Sequence, residues 1–218
     1  MRSKFDKQLA ALNQELTEMG ATCAQAIGLA AQALEQQDVA LAAPVGQLEE
    51  QTNEQERTIE ALCLKLLLQQ QPVARDLRQI SAALKMITDM ERIGDQAEDI
   101  AEIVAFLDGR QAENDALLKE MAKAVIQMVT ESVDAYVKCD IMLAKKVIAA
   151  DDVVDEQFAR VKQSLIGKIA ADPADGEYAL DLLMIAKYYE RIGDHATNIA
   201  EWVIYSVTGT HKDEITLT

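Results

Sequence analysis

The chain has 218 residues, half of them apolar, 27% charged and only 4% aromatic, with a formal net charge of −16. So acidic a balance argues against nonspecific binding to nucleic-acid phosphates or to anionic membranes, and suits cations or a partner with a basic patch. With nine Gly and three Pro in a background rich in Ala, Leu, Ile, Glu, Gln and Lys, the composition predicts an all-α protein.

The first helix is expected from about Ser3 to Gln37, where Phe5, Leu9, Leu12, Leu16, Met19, Cys23, Ile27, Ala30 and Leu34 recur every three or four residues as one apolar stripe. Asp38 is placed to cap a second helix running to about Gln70, with Pro44 forcing a kink or a later start. Its buried face is read as Val45, Leu48, Thr52, Ile59, Leu62, Cys63, Leu66 and Leu67. A turn at Gln69–Pro72 leads into a third helix, Val73 to Leu107, with an inner stripe of Leu77, Ile80, Leu84, Ile87, Met90, Gly94, Ala97, Ala101 and Val104. Asp108-Gly109 is expected to end it, with Gly in the C′ role.

A fourth helix is expected from about Glu113 to Lys138 and a fifth from Asp140 to Ala171. Ala171-Asp172-Pro173-Ala174-Asp175-Gly176 is the clearest loop, followed by a sixth helix from Glu177 to Val207, closed by Gly209, and a polar tail. Cys23, Cys63 and Cys139 are far apart, with no CxxC pair, and read as reduced core residues of a cytoplasmic protein. No signal-peptide core precedes the first stripe, and the charge-free stretch between Glu18 and Glu35 is too short and polar to span a membrane.

The third and sixth helices carry the same pentapeptide, Glu91-Arg92-Ile93-Gly94-Asp95 and Glu190-Arg191-Ile192-Gly193-Asp194, 99 residues apart. At i and i+4 the two carboxylates share a face, where like charges repel by a few tenths of a kcal/mol. A Gly in a helix interior costs roughly 0.5–1 kcal/mol relative to Ala. Accepting both penalties twice suggests a cation for the carboxylates and a close helix crossing for the glycine. The repeat goes further: Ile-Ala-Glu follows each motif, and Val45-x3-Glu49-x3-Asn53 matches Val147-x3-Asp151-x3-Asp155 at an offset of 102. An internal duplication of this kind predicts two tandem pseudo-symmetric three-helix bundles, residues 1–109 and 110–218.

With its two ERIGD motifs, Gln71-Pro72-Val73-Ala74-Arg75-Asp76-Leu77-Arg78 before the first, and the acidic i, i+4 positions of the middle helices, the sequence resembles the PhoU family from Phe5 to Gly209. The resemblance implies two three-helix bundles, usually as a homodimer. It implies metal binding through E/D-x-x-x-D motifs on adjacent helices. It also implies a cytoplasmic negative regulator that lowers phosphate uptake and holds the phosphate-starvation response off by contacting a phosphate ABC transporter, through its ATPase, and a sensor histidine kinase.

Carried over residue by residue, the implied metal positions are Glu49 and Asn53 with Glu91 and Asp95 in the first half, and Asp151 and Asp155 with Glu190 and Asp194 in the second. Hard oxygen ligands suit magnesium, manganese, calcium or iron better than structural zinc, although zinc stays among the metals considered. Asn53 lowers the charge of the first site, which is expected to bind more weakly. The Glu-x-x-His pairs of di-iron bundles are absent from the motifs, and neither a nucleophile–base pair nor a glycine-rich phosphate loop is visible, so the chain is read as a regulator rather than an enzyme. The alternatives are a metal store or scaffold, or a carboxylate-bridged metallohydrolase, unconnected to phosphate signalling. Solvated acidic faces are the bland reading of the motifs.

Among the remaining polar residues, His195 reads as a surface or half-buried side chain rather than a ligand, and Arg92 and Arg191 as partners of carboxylates on a neighbouring helix. Arg75 and Arg78 suit a partner contact or a solvated ion pair, and Tyr188, Tyr189 and Trp202 a core or dimer interface.

Overall fold

A computed structural model describes residues 2–70, 72–107 and 115–210. Seven α-helices lie among them: α1 (Arg2–Gln36), α2 (Val39–Ala42), α3 (Val45–Gln70), α4 (Ala74–Phe106), α5 (Asp115–Lys138), α6 (Ile141–Ala171) and α7 (Gly176–Thr208), with no strand among the described residues. The six long ones are those expected from the periodicity. α1, α3 and α4 pack as one three-helix bundle and α5, α6 and α7 as another. Antiparallel contacts of α4 with α7 and of α1 with α5 join the bundles, and one apolar cluster runs through both. The expected stop at Asp108-Gly109, the boundary after 109, a helix start at Glu113 and the tail beyond Thr210 fall outside the described residues.

The junctions show the duplication at atomic detail. α1 ends with Gln37 at φ +53° and α5 with Cys139 at φ +52°, both left-handed. The next residue, Asp38 or Asp140, returns its N–H to the carbonyl of Ala33 (3.1 Å) or Ala135 (2.8 Å), closing a Schellman-type end. The same aspartates then cap the following helices: Asp38 accepts from Ala40 N–H at 2.9 Å, and Asp140 from Met142 and Leu143 at 2.9 and 3.0 Å. Pro44 resolves into a break: α2 stops at Ala42, and the Pro44 carbonyl accepts from Leu48 N–H at 3.2 Å in the first turn of α3. Gly209, at φ +80°, ends α7 by donating to the Tyr205 carbonyl at 2.8 Å.

Two core expectations need correction. Leu77 is 45% exposed, because the first turn of α4 points Arg78 at the C-terminus of α7 and Gln79 at α5, which turns Leu77 outward. Cys139 is not a core residue; it sits half-buried at the left-handed turn, where its Sγ accepts from Gln79 Nε2 at 3.3 Å. Cys23 and Cys63 are buried thiols as expected, each pushed up to about 12 by burial.

Candidate metal centre

In the second bundle α6 carries Asp151 and Asp155 one turn apart and α7 carries Glu190 and Asp194 opposite them. What brings the helices together is Gly193: a Cβ there would lie 3.0 Å from Asp151 Oδ1 and 3.6 Å from Val154 Cγ1. Asp151 Oδ1 is buried and has no hydrogen-bond partner. Burial first, and then the carboxylates of Asp194, Asp155 and Glu190, raise the Asp151 pKa from 3.8 to about 6. Burial and Glu190 raise Asp194 as well. Lys187, on the same helix, pairs with Glu190.

The first bundle repeats this geometry with different chemistry. Gly94 faces Thr52, the counterpart of Val154, and a Cβ there would lie 3.3 Å from Thr52 Cγ2. Glu49 and Asn53 project from α3 toward Glu91 and Asp95 on α4. Here, however, Asn53 Nδ2 donates to Glu49 Oε1 within its own helix. Arg92 lies against Glu91 at 3.3 Å and Asp95 at 3.0 Å on its own helix, and its charge also reaches Glu56 on α3, the neighbouring helix, where it offsets part of the upward pKa shift. At i and i+3, Arg92 and Asp95 are neighbours on one helix face. Burial and Asp95 still raise Glu91. The acidic group also extends to Glu56, Glu98, Asp99 and Glu102, which the motif spacing did not identify.

All eight positions therefore fall on facing helix pairs, four to each bundle. Among the described residues, no three His, Cys, Asp or Glu side chains stand in an arrangement that could hold one ion. The all-oxygen donor set and the orphaned, buried Asp151 Oδ1 fit a hard divalent or trivalent ion in the second bundle. In the first, an amide and an arginine already compensate part of the charge.

The α4–α7 contact holds residues that sequence reasoning missed. His195 Nδ1 lies 2.9 Å from Asp89 Oδ1, and Asn198 Nδ2 donates to the same oxygen at 3.1 Å. Tyr188 of α7 in turn hydrogen-bonds Asp99 of α4. Asp89 and Tyr188 are 99 residues apart, as are Asp99 and Asn198, so the two links are mates across a pseudo-two-fold axis. That spacing was readable in the sequence; the antiparallel meeting of α4 and α7 was not. Burial raises the Asp99 pKa, and Arg191 lies close enough across the α4–α7 contact to offset part of that rise, as expected of a cross-helix partner. Arg78 Nε reaches the Ser206 carbonyl at 3.5 Å, while Arg75 is exposed. Tyr189 is fully buried, and Trp202 stacks edge-on with Tyr205 at 5.7 Å.

Two segments, 16–104 and 118–203, match the family model described as the PhoU domain. A Clostridium acetobutylicum protein named phosphate-specific transport system accessory protein PhoU homolog is 35% identical over 216 residues, covering 97% of this chain and 98% of its own. One from Pseudomonas aeruginosa bearing the same name is 34% identical over 217 residues, covering 99% and 90%. The crystal structure of PhoU from Pseudomonas aeruginosa superposes with a TM-score of 0.90 at 34% identity, over 94% of this chain and all (100%) of that one. The Streptococcus pneumoniae phosphate transport system regulatory protein PhoU gives 0.87 at 26% identity, over 95% and 98%.

Proposed function

The chain belongs to the PhoU family, and from that premise we propose that it is a negative regulator of phosphate uptake and of the phosphate-starvation response. It works by contact rather than catalysis, as a homodimeric cytoplasmic adaptor between the ATPase of a phosphate ABC transporter and a sensor histidine kinase. The observation that carries this reading is a likeness running through both bundles to full-length relatives named as accessory proteins of a phosphate-specific transport system. No helix among the described residues is long and apolar enough to cross a membrane, which suits a protein that reaches a transporter from outside the bilayer.

The acidic motifs are its metal sites in this reading. Asp151, Asp155, Glu190 and Asp194 would hold a hard cation such as iron, manganese or magnesium. Glu49, Glu91 and Asp95, with Asn53 as a neutral fourth donor, would hold one less tightly. The ion supplies charge neutralisation, letting α6 and α7 keep four carboxylates at one crossing.

Deleting the gene in its host and following a phosphate-starvation reporter in phosphate-replete medium tests the proposal. Reporter expression and phosphate uptake should both rise, and return to normal with a plasmid copy. A reporter that stays silent in the deletion strain would remove the regulatory reading. Metal-dependent phosphoester turnover by the purified chain, lost in Glu190→Gln, would replace it with a hydrolase.

A further inference from the structure

The two bundles are near copies, but their side chains differ around a hollow of the first, where α2 meets α4. A hollow of about 260 Å³ opens there, lined by Val39, Ala42, Gly46 and Ala105 and by the carboxylates of Glu98 and Glu102. The equivalent positions of the second half carry larger side chains. Ile148 stands in the second half where Gly46 stands in the first, and Ile204 where Ala105 does, both packed against the core. Gly46 also has a local role, because a Cβ there would come within 3.0 Å of Glu98 Oε1. The glycine thus lets that carboxylate lie over the hollow.

The lining joins an apolar floor to an unbalanced negative rim. Glu49, Glu102, Asp95 and Asp99 all add negative potential at Glu98. Among the described residues neither Glu98 nor Glu102 has a basic partner. We propose that the hollow is a docking pocket for a lysine side chain carried by a helical segment of a protein partner, with the methylene stem on the alanines and the ammonium between Glu98 and Glu102. A protein segment fits better than a free amine because the hollow is open: Val39 is 51% exposed, and Ala43 and Ala105 at its mouth are exposed too. A free amine would leave much of its stem in water, whereas a partner helix covers it. The assignment goes beyond the phosphate reading and holds or fails without it.

The full chain, with alanine methyls labelled, can be titrated by NMR with an Ala/Gln-based helical peptide bearing one central lysine. Shifts should centre on Ala42, Ala101 and Ala105. Replacing that lysine by Nε-acetyllysine, or combining Glu98→Gln with Glu102→Gln, should weaken binding about tenfold or more. Ala105→Ile, a change at an exposed position that copies the second bundle, should abolish it while leaving the remaining methyl spectrum intact. The proposal falls if the acetylated peptide binds as well, if Ala105→Ile still binds, or if no methyl moves at millimolar peptide. It falls equally if n-butylamine alone binds as tightly as the peptide, which would make the hollow a free-amine site.

Discussion

At Asp151 a buried carboxylate oxygen has no donor, burial and the carboxylates of Asp194, Asp155, Glu190 and Asp152 disfavour its charge, and its pKa stands at about 6 against an ordinary 3.8. An acid whose folded pKa is raised binds its proton more tightly when folded. That contribution to stability is whole below about pH 3.8 and is lost as the pH climbs through about 6. Asp194, Glu91, Glu98 and Asp99 shift the same way, while Glu131, held down by Gln127 and Lys146 despite burial, opposes them. In chelator, Asp151→Asn should match the wild type near pH 4 and exceed it by about 1 kcal/mol at pH 7.5, after allowance for solvent screening. Saturating manganese should reverse that order, since metal binding needs the ionised carboxylate. Urea unfolding at the two pH values, with and without metal, reads both effects. A second residue-scale prediction concerns Gln37, at φ +53°. Gln37→Gly should stabilise the chain by about 0.5–1 kcal/mol in urea unfolding, because glycine removes the left-handed cost borne by a side-chain residue.

Between elements, the two motif glycines set how closely each middle helix approaches its neighbour, but they face different neighbours. Thr52 is β-branched, and its hydroxyl is tied to the Leu48 carbonyl at 2.9 Å, so it has little room to give. Gly94→Ala should therefore destabilise by about 1 kcal/mol, overpacking outweighing the gain in helix propensity. At Gly193 the nearest atom is the Asp151 carboxylate, which can rotate. Gly193→Ala should be near neutral in thermal unfolding yet weaken metal binding about tenfold by displacing that oxygen. A large loss of stability there with unchanged metal affinity would show that the crossing is structural alone. This is also the scale at which the sequence was most readable. Helical periodicity located all six long helices and nearly every core position, and the pentapeptides marked both crossings. Pro44 marked the break before α3, but the outward turn of Leu77 and the half-buried place of Cys139 escaped the periodicity, because each depends on which neighbour an element meets rather than on its own pattern.

Across the whole molecule, the duplicated chain folds back so that α4 and α7 run antiparallel about a pseudo-two-fold axis, linked by Asp89 to His195 and Asn198 and by Tyr188 to Asp99. Asp89→Ala leaves the half-buried His195 and the exposed Asn198 of α7 without their shared partner and should cost about 0.5–1 kcal/mol. If these links couple the bundles, urea unfolding should also broaden. A sharp transition with an unchanged midpoint would show that the apolar core alone holds the bundles together. Selective loss of symmetry also sets the ranking of the two acidic groups: Asn53 and Arg92 compensate the first, while the second keeps an unpartnered oxygen. Elemental analysis of gently purified protein soaked in iron or manganese, then desalted, tests that ranking most directly. The wild type should retain metal, Glu49→Gln with Glu91→Gln should retain most of it, and Asp151→Asn with Asp194→Asn should lose most of it. No retained metal in the wild type, or equal metal in all three proteins, would contradict the account and leave both acidic faces as solvated surface.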